Sequence, residues 1–495
     1  MPGVRIPRQT GQFTNAAAAL SCLHGGDKAQ RLESTQQPST LVYNESTADS
    51  SQGDYDFMMR PSALLLLAAC VDPATRATDT APPDSPADTF TDTSPDTSSD
   101  TSADAVESVP GADEPAPGLC EIILDCDGPI EDEPKIGCDL TVTSHTGITQ
   151  YSGRAGVDLR GRSSSVFPKP QYAAELWSTD GQDTSANLMD MGGESDWILN
   201  GAHIDRALFR NKLAYDSFQA AQPDGYAAES AHCTMTLDGD WVGIYFLTER
   251  VKRDDDRIDL APDDSGQTFI VKLDDEDGVT PNTGGTGTWQ LVYPRSDDIS
   301  PAAEATVNAV LIGWQGAIAY DPASLAEHVD LESMIDFILL QEMTRNNDAY
   351  YLSVHLSRAP GERLRFIPWD SDLTLGQPSY NDNENPAGWV VYRPAFIANM
   401  ASVPGFSDAL EARWQVLRAG VWSDKALDTR MDAYREIMGE TAYENFEVWP
   451  IADIEFGWSG VDYLYEVSSY DEEYDRVRAW LPQRLAWIDA NIGSW

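Results

Sequence analysis

Residues 330–376 read DLESMIDFILLQEMTRNNDAYYLSVHLSRAPGERLRFIPWDSDLTLG. Asp330 suits a helix N-cap and apolar residues recur after it at helical spacing, so we predict a helix to about residue 345. Beyond Arg345 polar and apolar residues alternate with the period of a strand. A Pro-Gly turn at 360–361 then leads to a second predicted strand at 364–367. The stretch is therefore predicted to be a helix, a loop and a β-hairpin.

Carboxylates stand at both ends of this predicted hairpin. Asp348 follows the helix, and Asp370 and Asp372 follow the second strand a little over twenty residues later. Phosphoryl transfer needs one acid that orients the attacking hydroxyl and others that hold a metal ion on the phosphates. The spacing fits that division of labour. It fits equally well a turn capped by Asp348 beside two solvated acids.

The chain before this stretch is predicted to be rich in strands, and the chain after it helical. Short apolar runs broken by Gly, Ser and Pro predict strands over 142–174, and residues 233–247 have the pattern of a hairpin. Helices are predicted within 205–221, near 301–318 and over most of 404–495. The predicted class is α+β, with a smaller β-rich lobe and a larger helical lobe.

The chain is strongly acidic. Its 33 basic and 81 acidic residues give a formal net charge of -48. Nucleic acids and anionic membrane surfaces bind proteins through positive charge, so both are excluded as partners. A generally solvated acidic surface explains the charge, and a tendency to gather divalent cations is a second explanation.

Cysteine usage indicates disulfides rather than a metal site. The six cysteines form no zinc-type pair of closely spaced ligands, and no histidine lies near the cluster Cys120, Cys126 and Cys138. In an oxidising compartment these three and Cys233 can form two bridges, with three connectivities open. Alternatively, Cys233 is a small buried apolar residue.

The N-terminal region has the pattern of an exported lipoprotein. Residues 58–70 read MMRPSALLLLAAC, in which a basic residue and a short apolar run precede a lipobox-like Cys70. The run is too short to span a bilayer, and a short buried helix is the alternative. Residues 1–57 are predicted to be a non-native extension or disordered, and the Asp/Thr/Ser/Pro-rich residues 71–118 a disordered tether. Residues 119–138 are assigned to a Cys-containing connector and 139–495 to the main domain.

Four segments of the chain resemble the CotH family of atypical protein kinases, which is named for a spore-coat kinase. The segments occur in the family's order and cover most of 155–376. In one-letter code they are LRGRSS with FPK (159–169), DWIL to RNKLAYD (196–216), GDWVGIYFLTE (239–249), and NND with PWDSDLTLG (346–376).

The resemblance implies a two-lobed kinase-like fold that uses ATP with Mg²⁺ or Mn²⁺ to phosphorylate Ser or Thr of exported or surface proteins. The implied site residues are Asp348 as the catalytic acid and Asp370 and Asp372 as metal ligands. The resemblance also implies a phosphate-covering loop with Ser163 and Ser164 near the nucleotide, and Lys169 touching its phosphates. Arg210 is implied to lie near the site and Glu249 to be a hinge-side contact. Lys169 could instead be a solvent-exposed strand lysine, Arg210 a partner of an acidic neighbour, and Glu249 an exposed strand-end acid. The implied location is the cell envelope, with membrane attachment only through lipid on Cys70.

One departure from the family pattern concerns the second metal ligand. The family carries an Asn a few residues after the catalytic acid, whereas this chain offers Ser353 or no ligand there. Whether Asn346 and Asn347, which precede the acid, compensate is left open. A catalytically weakened, kinase-fold lipoprotein that binds a partner is therefore an alternative. A third interpretation takes Asp370-Ser371-Asp372 as the DxD motif of a nucleotide-sugar transferase, which leaves Asp348 without a role.

Overall fold

The computed structural model of the protein describes residues 118–161, 164–274, 278–282, 287–346, 348–350, 352–377, 383–390, 393–451 and 467–495. The predicted leader with Cys70, the tether up to residue 117, and Ser163 lie outside these residues.

Alternation of apolar and polar residues explains the first strands. In Cys120–Cys126, the side chains of Cys120, Ile122 and Leu124 are buried, and Glu121 and Asp125 between them are exposed. Successive side chains of a strand point to opposite faces, so one face of this strand enters an apolar interior. The described strands are β1 (Cys120–Cys126), β2 (Ile136–Thr143), β3 (Thr149–Arg160), β4 (Gln171–Trp177), β5 (Ala186–Asn187), β6 (Gly193–Glu194), β7 (Asp196–Asn200), β8 (Ser230–Leu237), β9 (Asp240–Glu249), β10 (Phe269–Asp274), β11 (Thr280–Pro281), β12 (Thr288–Tyr293), β13 (His355–Arg358) and β14 (Arg365–Ile367).

Seven of these strands close into a barrel in the order β1-β2-β3-β4-β7-β9-β8. Its neighbours pair in antiparallel fashion except β1 and β8, whose parallel pairing closes the ring. The inward side chains form an apolar core of their own that includes Leu140, Val157, Leu176 and Leu199. The predicted hairpin of residues 233–247 is confirmed as β8 and β9.

A second sheet has the order β11-β12-β10-β13-β14. Its last two strands are the hairpin predicted after the helix, although β13 begins at His355, later than the sequence alternation indicated. The end of β14 at Ile367 leads directly into the Pro368–Asp372 segment. The two short strands β5 and β6 pair separately.

The C-terminal half of the described chain is helical, as the sequence predicted. The described helices are α1 (Arg210–Ala221), α2 (Pro301–Tyr320), α3 (Leu325–His328), α4 (Leu331–Thr344), α5 (Ala395–Ala398), α6 (Phe406–Ala419), α7 (Asp424–Met438), α8 (Thr441–Val448) and α9 (Tyr470–Asn491). The protein thus has the predicted α+β class, with a β-rich N-terminal and a helical C-terminal region. None of the helices in the described ranges combines the length and apolar character needed to cross a membrane.

Helix α4 lies at the centre of the larger apolar core. Asp330 caps it as predicted, since its carboxylate accepts a hydrogen bond of 3.0 Å from the Ser333 N–H. Every residue from Ser333 to Thr344 is buried, so the helix has no solvent-facing side over that length. The buried residues of α4 include the acidic Asp336 and Glu342. Arginines from later segments neutralise both acids. Arg413 pairs with Asp336, and Arg393 and Arg484 both pair with Glu342.

Two disulfides tie the start of the described chain into the barrel. Cys126 pairs with Cys138 across β1 and β2, and Cys120 pairs with Cys233 across β1 and β8. Cys233 is therefore covalently bonded as well as buried. The segment 119–138, assigned from sequence to a connector, instead contains β1 and the start of β2, so the barrel includes it.

Replacing both cysteines of either bridge by Ala should lower the free energy of unfolding, and the longer loop should matter more. The bridges close loops of 113 and 12 residues. Chain-entropy estimates are about 5 kcal/mol for the long loop and about 3 kcal/mol for the short one. Urea unfolding of the two double variants measures the difference. Peptide mass spectrometry without reduction checks the pairing, and any other pairing would contradict the structure.

Candidate active site

A cleft of about 1010 Å³ lies beside the barrel. Barrel residues from β3, β4, β7 and β9 line it together with α1, β10, β12 and the segments after α4 and β14. Asp348, Asp370 and Asp372 all line this cleft. The three acids that the sequence placed at separate points along the chain therefore meet in one cavity.

Asp348 lies in the turn that follows α4. Its backbone N–H donates a 3.0 Å hydrogen bond to the Asn346 side-chain oxygen, which shapes the turn. Burial raises the pKa of the Asp348 carboxyl to about 7, and the negative charge of Asp370 adds to the shift. A carboxyl group with such a pKa can accept a proton efficiently near neutral pH.

Asp370 and Asp372 follow β14 on a segment with unusual backbone geometry. Asp370 has a φ of 60°, in the left-handed region that costs a non-glycine residue conformational energy. Burial raises the pKa of the Asp370 carboxyl, while nearby Arg160 favours its ionised form. Burial and the charge of Asp370 raise the pKa of Asp372 well above its usual range. The site thus disfavours ionisation of both carboxyl groups at once.

Side chains of helix α1 hold the backbone of this segment. The Tyr215 hydroxyl accepts a 2.9 Å hydrogen bond from the Asp370 N–H, and the Asn211 side-chain oxygen accepts one of 2.5 Å from the Ser371 N–H. The Tyr215 ring also stacks on Trp369, with ring centroids 5.7 Å apart. These contacts keep the Asp370 backbone in its left-handed conformation.

Arg210 also holds the segment that begins at Asp370, through a hydrogen bond to the Thr374 carbonyl. The side chain is fully buried, and this hydrogen bond is 2.9 Å long. It also pairs with Asp205 at 2.8 Å and with Glu473 at 2.6 Å. Arg210 thus pairs with acidic neighbours and positions the Asp370–Thr374 segment, rather than lining the cleft itself.

Asn346 joins the two acidic segments. Its side-chain oxygen accepts from the Asp348 N–H at 3.0 Å, and its side-chain nitrogen donates to the Asp370 carbonyl at 3.1 Å. The residue is buried. One amide side chain therefore links the Asp348 turn to the Asp370–Asp372 segment.

Replacing Asn346 by Ala should remove both hydrogen bonds and leave the Asp348 N–H and Asp370 carbonyl without this partner. Each unsatisfied buried group costs about 1–3 kcal/mol, so for two groups we expect a loss of about 2–6 kcal/mol in unfolding free energy. Urea unfolding at pH 7 measures it. A loss below about 0.5 kcal/mol, the range of ordinary surface substitutions, would contradict the bridging role.

Ser353 occupies the position at which the family pattern has Asn. Its hydroxyl donates to an Asp370 carboxylate oxygen at 3.3 Å, and its φ is 61°. The side chain lines the cleft. The structure thus directs the Ser353 hydroxyl to Asp370, one of the two acids predicted to hold the metal.

The predicted phosphate-covering segment is only partly at the cleft. Gly161 and Ser164 line it, whereas Ser163 lies outside the described residues. Gly161 has a φ of 94°, and a Cβ atom there would lie 1.9 Å from the Ser164 hydroxyl oxygen. Only glycine permits this approach.

Lys169 and Glu249 do not line this cleft. The Lys169 ammonium is buried and donates to the Ile244 carbonyl at 2.5 Å and to the Asn445 side chain at 2.8 Å. Glu249 is buried beside a second, polar cavity of about 430 Å³, where Tyr226 and the Glu229 N–H donate to it. Burial raises its pKa to about 7. Neither side chain is the exposed strand residue considered as the alternative.

The donor set at Asp370 and Asp372 fits Mg²⁺ or Mn²⁺. Hard divalent cations prefer carboxylate oxygens, and Mg²⁺ commonly uses one or two protein carboxylates together with substrate phosphates. Burial raises the pKa values of both carboxyls, and a cation bound there would favour their ionised forms. Within the described ranges, no group of three or more His, Cys, Asp or Glu side chains is arranged to hold a metal. These two carboxylates would therefore need ligands from the nucleotide.

Sequence reasoning gave no role to Asn211 or Tyr215 and left that of Asn346 open. Asn211 and Tyr215 are four residues apart on α1, so they share one face of that helix. Polar side chains at that spacing on one face of a partly buried helix were the available signal.

Comparison with known proteins gives one family. A family model described as CotH kinase protein matches residues 157–488, more than half of the chain. No curated protein matches the chain.

Proposed function

The chain belongs to the CotH kinase family, and on that basis we propose that it transfers phosphate from ATP to Ser or Thr hydroxyls of exported or surface proteins. The observation that carries this proposal is the convergence of Asp348, Asp370 and Asp372 in one cleft. We assign to these residues the roles that the family resemblance implies: Asp348 is the catalytic acid, and Asp370 and Asp372 are the metal ligands.

In the proposed reaction Asp348 accepts the proton of the attacking hydroxyl. Its pKa of about 7 leaves a substantial ionised fraction at neutral pH while keeping the carboxylate basic. Asn346 and α1 set its position relative to Asp370 through their hydrogen bonds to the two acidic segments. A divalent cation held by Asp370 and Asp372 would neutralise charge on the phosphates.

The proposal includes a kinase-like, two-lobed arrangement. Supporting it, the cleft has barrel strands on one side and the segments after α4 and β14 on the other. Its volume of about 1010 Å³ is at the upper end of ordinary small-molecule sites. A nucleotide and the side chain of an acceptor protein both have to fit there.

We also propose export and lipid attachment through Cys70. The two disulfides support an oxidising compartment, because such bonds are rare in the cytosol. The partners are then ATP and an exported or surface protein, with no nucleic acid, and the cell envelope is the location. Metabolic labelling with a fatty acid, compared between the wild type and Cys70→Ala, tests the anchor.

Incubation of the purified protein with labelled ATP and Mn²⁺ tests the kinase proposal. We expect label on Ser or Thr of the protein itself, identified by phosphopeptide mass spectrometry. Parallel samples with UDP-sugars test the transferase interpretation of Asp370-Ser371-Asp372. Incorporation of sugar and not phosphate would overturn the kinase assignment.

The second candidate function is a non-catalytic binding protein built on the same scaffold. Ser353 in place of Asn favours it, because a serine hydroxyl is a weaker metal ligand than an amide oxygen. Thermal unfolding with and without ATP and Mn²⁺ separates the candidates, since a ligand of the native state raises the midpoint. No shift in midpoint together with no labelling would favour the scaffold.

A further inference from the structure

Cationic side chains in the cleft differ in whether a carboxylate already neutralises them. Among the described residues, the cations that line it are Lys135, Arg160, Arg250, Lys272 and Arg295. Three of them pair with carboxylates: Lys135 with Glu175 at 2.8 Å, Lys272 with Asp274 at 2.7 Å and Arg250 with Asp196 at 3.7 Å. Arg295 is exposed at the rim.

Arg160 is the remaining cation, and it is half-buried where it lines the cleft. It is the last residue of β3, and its guanidinium carbon is 6.0 Å from the centre of the Trp369 ring, next to Asp370. One guanidinium nitrogen donates to the Gln171 side chain at 3.1 Å. Within the described part of the chain, no carboxylate lies within ion-pair distance of it. A guanidinium has five N–H donors, so most of them are available to a ligand.

Gly161, the residue that follows Arg160, also supports a ligand site. Gly161 allows the Ser164 hydroxyl to approach the backbone closely, and both residues line the same cavity. The Arg160 guanidinium and the Ser164 hydroxyl line the same cleft and both offer hydrogen-bond donors to an anion there. Across the cleft, Asp370 attracts Arg160 electrostatically and helps to hold it there.

We propose that Arg160 binds the phosphate groups of the nucleotide. This rests on the proposed kinase function and assigns to Arg160 the role that the family resemblance implies for Lys169. Arginine binds phosphate through two parallel hydrogen bonds and keeps its charge at all relevant pH values. Lys169 is a poor candidate because its ammonium donates to protein oxygens away from the cleft. Burial also lowers its pKa to about 7, so its charge is not permanent.

Calorimetric titration of the full-length protein with ATP, ADP and adenosine, each with Mn²⁺, tests the assignment. For Arg160→Gln we expect ATP affinity to fall about 10- to 100-fold, the effect of losing charge-assisted hydrogen bonds, while adenosine affinity stays within about twofold. Arg160→Lys should recover part of the ATP affinity, because it keeps the charge and loses the two-pronged geometry. Arg295→Gln removes a cation at the rim of the same cleft and should leave all affinities unchanged.

Equal losses for ATP and adenosine in Arg160→Gln would overturn the proposal, because they indicate a change in the cleft as a whole. ATP affinity that matches the wild type would overturn it too. Both results leave the kinase proposal standing. A wild-type protein that binds none of the ligands refutes the nucleotide site itself, and binding without phosphate transfer refutes only the catalytic proposal.

Discussion

Replacing Asp348 by Asn is expected to reduce phosphate transfer by about 10²- to 10⁴-fold, the contribution of a positioned general base. Asn has nearly the same shape as Asp and cannot accept a proton from the attacking hydroxyl. The Asp348 N–H keeps its hydrogen bond to Asn346, so the turn after α4 should keep its conformation. We therefore expect kcat to fall while the ATP dissociation constant changes little.

Single-turnover labelling and calorimetry measure these two quantities separately. Asp297→Asn is the matched control, because Asp297 lines the same cleft but is exposed at its rim. That variant should keep the wild-type rate. Retention of more than about a tenth of the rate in Asp348→Asn would remove Asp348 from the proposed mechanism.

Replacing Asp372 by Asn is expected to abolish metal-dependent activity and to stabilise the metal-free protein. The first effect follows from the loss of a carboxylate ligand, and we expect Mn²⁺ affinity to fall at least about 100-fold. The second follows because Asp372 is half-buried beside Asp370, and both its desolvation and the charge of Asp370 disfavour ionisation of the Asp372 carboxyl. The opposite directions of the two effects distinguish a metal ligand from a residue needed for folding.

The stabilisation should depend on pH. The pKa of Asp372 is raised in the folded protein above the usual 3.8, so the folded state binds more protons than the unfolded state over that interval. Stability conferred by Asp372 is therefore present at low pH and is lost as pH rises through the raised pKa. Each pKa unit corresponds to about 1.4 kcal/mol. Asp372→Asn lacks this penalty, so its advantage over the wild type should grow as pH rises above about 4.

Thermal unfolding in chelator across pH 4–8, repeated with Mn²⁺ and ATP, measures both effects. The wild type should gain stability from the ligands, and Asp372→Asn should not. Asp297→Asn is again the control and should respond like the wild type. A lower midpoint for Asp372→Asn in chelator at pH 8 would show that the Asp372 carboxylate has a stabilising partner and would contradict the predicted repulsion.

Local signals predicted the elements around the site well. The helix predicted from Asp330 to about residue 345 is α4, and its cap forms as expected. Caps, turns and apolar periodicity act between residues a few positions apart, so the sequence records them directly. The strand after α4 was placed too early because Ser353 adopts a left-handed conformation and hydrogen bonds to Asp370. That distant contact overrides the local alternation.

The environments of individual side chains were not predictable from local sequence. Lys169 was predicted to touch phosphates, yet its ammonium bonds to Asn445, 276 residues away in sequence. Arg210 pairs with Glu473, 263 residues away. Nothing near Lys169 or Arg210 in the sequence indicates which distant segment packs against their side chains. The lysine's burial and the arginine's supporting position therefore had to come from the structure.

The sequence by itself determined the α+β class, the order of strands and helices, the family and the three acids, because these depend on local periodicity and on motifs that stay together along the chain. Only the tertiary structure decided the two disulfide pairings, the bridging role of Asn346, and the choice of Arg160 over Lys169 at the cleft. The physical reason is that burial, charge balance and hydrogen-bond satisfaction depend on which distant segments pack together, and those contacts exist only in the folded chain.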